Sequence, residues 1–535
     1  MGPKTIAPFD WLIILIYITC LIVLSLYSSK KIKRQEDIFL AGRSMKRWPI
    51  ALSMYMALFS TNSLLGVIGW LNQDGGTIWI GLQNIGIIMA VPLVIWLYPT
   101  LFFKLKINTA YEYLEKRFNY TIRGVAATLF LGARIMWLST MLYAASLVIS
   151  IMGGLTPEFG WENGHVWSII AIGLIGASFG VAGGMRAVIW TDVVQFFVLM
   201  GCVVLMSSIA IFKVGGINNI LYIANESAKF VPPKVFSLTD NLSIVSGLLL
   251  GFVAMLSSSG SDQVVLQTYL SANSDVEAKK SLWRNGFLIK PMSLIFPILG
   301  VIIFAYYQKF PDIATRMRVP DDALPVFVLN ILPVGIRGLT VAAILSAILT
   351  SLNSGMTALS AVINIDYIQH WRKKPLSDFA AVILGRLFIL LWGIILISCA
   401  LWIRSLGTSN NIIQILNIVM YPFSGVLLGI FLLGLLTKRA NGKGTLVGTV
   451  IGFLFTILVP LSKFIVLNIL KIDLQYISPF VHKIISLSQI SNFYYGALGV
   501  LMTILFGYLA SFFFRSVPEK QLVGLVRIKL KHTEK

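Results

Sequence analysis

The stretch TVAAILSAILTSLNSGMTALSAVINID sets Ala347, Thr350, Ser351, Ser354 and Ala358 three and four residues apart, which is one face of a helix. A small residue followed by hydroxyls lets another backbone approach and offers neutral oxygens. Such oxygens, with carbonyls freed from a helix, suit a hard monovalent cation such as sodium that must bind and then leave. A small-residue packing seam fits the same spacing. Two charges stand in apolar surroundings, where an ionised group is costly and needs a reason. Arg134, in FLGARIMWLST, presents a planar fork of donors that matches a carboxylate, so it suits an anionic solute or an internal ion pair. Asp192, in AVIWTDVVQF, suits a cation ligand, a gating partner or an ion pair near a membrane surface. Lys290 and Arg386 fall within a few residues of the ends of apolar runs and are expected to snorkel.

Enzyme chemistry is poorly supplied. His165, His370, His482 and His532 lie in loops or at the ends of apolar runs, and no HExxH, Walker or GxSxG motif is present. An ATP-driven pump needs a nucleotide domain, and no polar stretch is long enough for one. Cys20, Cys202 and Cys399 all sit in apolar runs without metal-ligand spacing and read as packed thiols.

The elements that must position these groups are membrane helices. The 535 residues are 57% hydrophobic and only 12% charged, against about a quarter charged in soluble domains. Crossing a bilayer takes about 20 apolar residues. Thirteen spans are expected, near 8–29, 48–71, 77–103, 122–153, 164–183, 187–212, 241–260, 285–307, 336–365, 379–403, 410–436, 444–470 and 492–514. The first reads as a retained helix, since it ends in SSKKIKR without a cleavage pattern. The net charge of +21 follows topology: with the N-terminus outside, 28 of the 43 Lys and Arg residues fall in segments assigned to the cytoplasm. That arrangement puts the C-terminus inside and leaves no reason to invoke nucleic acid.

Two spans carry clusters of poor helix formers: FSTNSLLG from Phe59 to Gly66, and SSSGSD from Ser257 to Asp262. They lie five spans apart and so run in opposite directions. Interrupted helices at matched positions of two inverted halves point to a transporter binding site, because unwound backbone at membrane depth is tolerated only beside a cavity or protein. Helix packing through small residues is the simpler alternative for either cluster alone.

Five segments together resemble the sodium:solute symporter family: AGRSMKRWPIALSMYMALFST, NTAYEYLEKRFN, GGMRAVIWTDVVQ, SDQVVLQTYLSANSDVEAKKS and AAILSAILTSLNSGMTALSAVINID, in the family's order over about 40–440. Thr268 stands where Arg is usual, and Thr350 and Asn353 replace a Ser and an Asp of the family's S-S-L-D-S helix. The resemblance implies an all-α polytopic membrane protein with a LeuT-type 5+5 inverted-repeat core. Residues 1–47 would form a preceding helix and cytoplasmic loop. Residues 48–440 would form the core, with repeats at 48–213 and 241–436, and 441–535 two further helices and a basic cytoplasmic tail. It implies sodium as the coupling ion, held by the carbonyls of Met56, Phe59 and Ala347 and the hydroxyls of Thr350 and Ser351. A second sodium would use Asp192 with Thr350 and Ser354, although Asn353 departs from the pattern there. Solute contacts would fall at Ser60, Ser63, Gln83 and Arg134, with Gln414 and Asn417 as further contributors. Arg134 is placed like the carboxylate-binding Arg of the sialic-acid members. Ser257, Ser258 and Ser259 stand where sugar members carry aromatic residues, which argues against a glucose-type site. The expectation is a sodium-coupled importer of a small organic anion, of sialic-acid or monocarboxylate type, working by alternating access in a bacterial inner membrane. Its partners are the solute, sodium and the lipid bilayer, and a monomer suffices. A neutral solute with a structural Arg134, or a non-transporting membrane sensor, are the alternatives.

Overall fold

The computed structural model describes residues 5–29, 40–58, 61–155, 160–182, 185–372, 377–405, 412–464, 487 and 489–527; within these, the side chains of 57–58, 61–63, 179–182, 290, 292–293, 378, 382, 412–418, 421 and 459–464 lie outside the description. The described residues are mostly helical, and their one β feature is the isolated bridge between Met45 and Ala272. In chain order the main helices are α1 (Pro8–Ser29), α2 (Arg47–Leu58), α3 (Thr61–Asn72), α4 (Leu82–Leu97), α5 (Pro99–Leu105), α6 (Ala110–Arg117) and α7 (Tyr120–Met152). There follow α8 (Gly164–Ala182), α9 (Met185–Val214), α10 (Ile217–Glu226), α11 (Ile244–Gly260), α12 (Gln263–Leu270), α13 (Asp275–Lys309) and α14 (Ala323–Ile331). The last five are α15 (Ile336–Val362), α16 (Asp378–Ser405), α17 (Ile412–Leu436), α18 (Gly442–Phe464) and α19 (Tyr495–Ala510).

Helices occupy the described part of each expected span. Eight helices among the described residues are long and apolar enough to cross a membrane, or nine when the bent pair α11–α12 is counted as one. The helices around 164–178, 422–436 and 442–458 are shorter apolar ones. The largest boundary difference is at α13, which starts ten residues before the expected span. Its first turns are charged, but Ser274 caps them: its hydroxyl accepts from the Glu277 amide at 3.2 Å. Lys290 therefore lies mid-helix rather than near an end, and its side chain is outside the description. Cys20 is exposed on α1, not packed as expected, while Cys202 is buried.

The chain forms two compact units, each drawn from three separate stretches. The first comprises Met1–Gly81, Arg134–Pro232 and Gln267–Ile415. In it α15 is buried along nearly its whole length, packing on α1, α8, α9 and α16. Close approach comes from glycine: a Cβ on Gly355 would lie 2.5 Å from Leu138 of α7. The second unit comprises Leu82–Ala133, Pro233–Leu266 and Leu416–Lys535. Here α4 and α11 touch backbone to backbone, since a Cβ on Gly251 would lie 1.6 Å from the Gln83 carbonyl. The segment after α19, read in the sequence as a basic tail, folds back on this unit as far as it is described. Leu522 is buried, Tyr113 donates to the Leu525 carbonyl at 3.0 Å, and Arg527 donates to the carbonyls of Leu435 and Leu97, both at 2.9 Å.

Candidate functional site

In the first unit three helices bring polar groups together. Asp192, on α9, is buried, and its carboxylate accepts from the Ser53 hydroxyl of α2 at 2.5 Å. One turn further along α9, the buried Gln195 bridges to α15. Its Oε1 accepts from the Thr350 hydroxyl at 2.8 Å, and its Nε2 donates to the Ser346 carbonyl at 3.1 Å. The Thr350 hydroxyl also lies 3.3 Å from the Ala347 carbonyl, and the Ser354 hydroxyl donates to the Ser351 carbonyl at 3.0 Å. A hydroxyl that sends its proton back along its own helix leaves lone pairs facing outward, the orientation a hard cation needs. Ala347, Thr350, Ser351 and Ser354 are all buried, as is Met56 near the end of α2.

The donor set fits sodium. It consists of neutral oxygens with a single carboxylate, and among the described residues no group of three His, Cys, Asp or Glu could hold a divalent or transition metal. Asn353, the departure from the family pattern, is buried and its Oδ1 faces the Thr357 hydroxyl at 3.4 Å. Gln195 and Ser53 were not singled out as ligands or supports in the sequence. Gln195 sits one turn after Asp192 and Ser53 one turn before Met56, so helical spacing from those two residues was the available signal.

Phe59, expected to offer sodium its carbonyl, and Ser60, an expected solute contact, lie outside the described residues, as does the side chain of Ser63. Arg134 is buried on α7 in the first unit, with its guanidinium carbon 3.9 Å from the Trp137 ring centroid. Stacking on an aromatic face supports a guanidinium taken out of water without consuming its in-plane donors. Gln83 belongs to the second unit, at the start of α4. The side chains of Gln414 and Asn417 are outside the description.

The break between α11 and α12 lies in the second unit. α11 and α12 meet at an angle of 59°. The break is built locally: Ser261 donates its amide and hydroxyl to the Ser257 carbonyl at 2.8 and 2.7 Å, and Asp262 caps α12 by accepting from the Val264 amide at 2.8 Å. Ser257 reaches the Ser424 carbonyl of α17 at 3.0 Å. Two of the family-like segments meet at this break. Gln263 accepts from the Ala110 amide at 3.1 Å and donates to the Asn108 carbonyl at 2.8 Å, while the Tyr111 hydroxyl donates to the Ser261 carbonyl at 2.9 Å. From the other end of α6, the fully buried Arg117 donates to the carbonyls of Gly434, Thr437 and Ala440. In this way α6 ties the break to the end of α17. Glu112, whose side chain closes the first turn of α6 on the amides of Asn108 and Thr109, has its carboxyl held above the usual range by burial.

A long helical chain with a broken, side-chain-stitched helix and a buried cluster of hard oxygens has the build of a secondary transporter. The model of the sodium:solute symporter family matches residues 38–452, and the chain belongs to that family. It is 25% identical over 518 residues to the sodium/sialic acid symporter NanT of Aliivibrio fischeri, covering 96% of this chain and 95% of that one. It is 29% identical over 440 residues to the sodium/sialic acid symporter SiaT of Proteus mirabilis, covering 82% and 86%. A solved structure of a sodium-coupled sialic acid symporter, in a substrate-bound outward-open state, superposes with a TM-score of 0.81 at 26% identity, covering 95% of this chain and 99% of that one. The architecture is LeuT-type, and sodium is the coupling ion of a solute symport.

Proposed function

We propose that this symporter imports an acidic solute of the sialic-acid kind, with Arg134 receiving its carboxylate. The observation that carries the reading is a buried guanidinium backed by an aromatic face on a membrane helix, a planar fork whose shape suits a carboxylate. The sialic-acid relatives support the solute class. Ser60 and Ser63 of the α2–α3 pair would add polar contacts. One sodium would be held by the Met56, Phe59 and Ala347 carbonyls with the Thr350 and Ser351 hydroxyls. A second would use Asp192 with Thr350 and Ser354, and the Ser53–Asp192 bond gives that carboxylate a fixed orientation.

In this reading sodium entry reorganises the hydrogen bonds among Asp192, Gln195 and Thr350, which join α9 to α15. Binding energy realised in only one conformation biases the alternating-access equilibrium toward it. The same proposal keeps the thirteen-crossing topology with its N-terminus outside and C-terminus in the cytoplasm of a bacterial cell. It also keeps the repeats at 48–213 and 241–436, and a monomer as the working unit. The test is uptake of labelled sialic acids, monocarboxylates and sugars into proteoliposomes under an imposed inward sodium gradient. Gradient-driven uptake of an acid that is lost in Arg134→Gln supports the proposal. Undiminished acid uptake in that variant, or uptake of neutral solutes only, returns Arg134 to a structural role.

A further inference from the structure

Asp10, the third residue of α1, has no exposed surface. Its Oδ1 accepts from the amides of Gly335 and Gly338 at 2.7 and 3.0 Å, which are the open N–H groups at the start of α15. Its Oδ2 accepts from Arg337 Nε at 2.8 Å and the Ala7 amide at 3.1 Å, and lies 2.7 Å from Arg337 Nη2. Arg337 uses its third nitrogen on the Leu329 carbonyl of α14, at 3.3 Å. The backbone is shaped for this contact. Gly335 has φ of +92°, and a Cβ on Gly338 would lie 2.7 Å from the Asp10 Cα, so both positions need glycine. The segment before α1 is anchored separately, its Ile6 amide donating to the Met152 carbonyl at 3.0 Å.

A surface cap would not need a buried ion pair, two guanidinium nitrogens on one carboxylate oxygen, with every acceptor site filled. The elements joined suggest more. α1 packs on both α15 and α9, the helices carrying Thr350 and Asp192. α15 runs unbroken from Ile336 to Val362, and Thr350 lies twelve residues past Gly338. At 1.5 Å per residue that is about 18 Å along a stiff rod. Fixing the rod's first turn fixes the depth and rotation of the hydroxyl face further along. α1 also precedes the matched family stretch at 38–452.

We infer that Asp10 and Arg337 are positioning residues for sodium: they set the register of α15 against α9, and through it the alignment of the hydroxyls of Thr350 and Ser351. The inference rests on the sodium site proposed above. It is tested in reconstituted full-length protein by measuring initial uptake as a function of sodium, and separately as a function of solute at saturating sodium. Asp10→Asn, which keeps shape and loses charge, is expected to raise the half-saturating sodium concentration by about fivefold or more. Half-saturation for solute at saturating sodium should stay within about twofold. Arg337→Lys, which retains the charge but not the fork, should fall between Asp10→Asn and the native protein, and it decides alone if Asp10→Asn does not assemble. Thr350→Ala with Ser351→Ala is the control. If the control shifts sodium dependence and neither clamp variant does, their only effect being a lower melting temperature, the positioning role is overturned. If the control itself leaves sodium dependence unchanged, the proposed sodium site fails instead.

Discussion

The polar networks of the two units are built from different bonds. In the first unit, beside bonds to backbone such as that of Gln195 to the Ser346 carbonyl, helices are joined side chain to side chain: Ser53 to Asp192, and Thr350 to Gln195. In the second unit they run from side chain to backbone: Gln263, Tyr111 and Arg117 each satisfy peptide groups that an interrupted or ending helix leaves open. The difference follows from what each must do. A cation that binds and departs needs ligands whose partners can be exchanged at small cost. A helix broken at membrane depth needs its open peptide groups satisfied permanently, because lipid cannot do it.

Substitutions in the two networks should therefore fail in different ways. The largest effect is expected from Arg117→Ala, which strips donors from three carbonyls in a buried place. At roughly 1–3 kcal/mol per unsatisfied buried group, the protein should lose several kcal/mol and much of its folded yield, read by melting temperature and size-exclusion profile. Next is Thr350→Ala with Ser351→Ala, which takes the Thr350 donor from Gln195 and should lower stability by about 1 kcal/mol, but should raise the half-saturating sodium concentration by about tenfold or more, ~1.4 kcal/mol or above. Gln263→Leu should slow maximal uptake by loosening the 59° break while sodium affinity holds. Tyr111→Phe removes one hydroxyl donor and should cost about 1 kcal/mol in thermal stability.

The smallest effect is expected at Glu112. Burial raises its carboxyl in the folded protein, so the ionised form opposes folding, and stability from this group should increase as the pH falls through its folded value. Glu112→Gln keeps an oxygen acceptor for the Asn108 and Thr109 amides and should abolish that pH-dependent gain, measured as the slope of melting temperature against pH.

Much of this architecture was legible in the sequence because it is local. Apolar runs located the helices, and the serine-rich cluster at 257–262 marked the break that the structure bends by 59°. The hydroxyl face of α15 follows from spacing alone. What stayed hidden is non-local or uses residues that look ordinary. Asp10 reads as one acid near the start of an apolar run, and its partner lies 327 positions away. Gln195 carries no charge to make it conspicuous, yet it joins α9 to α15. The charged start of α13 read as a loop because hydropathy locates the membrane, not the helix, and a helix capped by Ser274 can extend well beyond lipid. Arg134 was found from its charge, but its support by Trp137 depends on packing that a single sequence does not reveal.

The most direct test compares sodium-driven uptake of labelled sialic acid by the native protein and by the Thr350→Ala, Ser351→Ala variant, in proteoliposomes with the gradient imposed in one direction. Concentrative uptake that follows the gradient in the native protein, and shifts to about tenfold higher sodium in the variant, is the result expected. Sodium dependence identical in both proteins would contradict the placement of the coupling ion on α15.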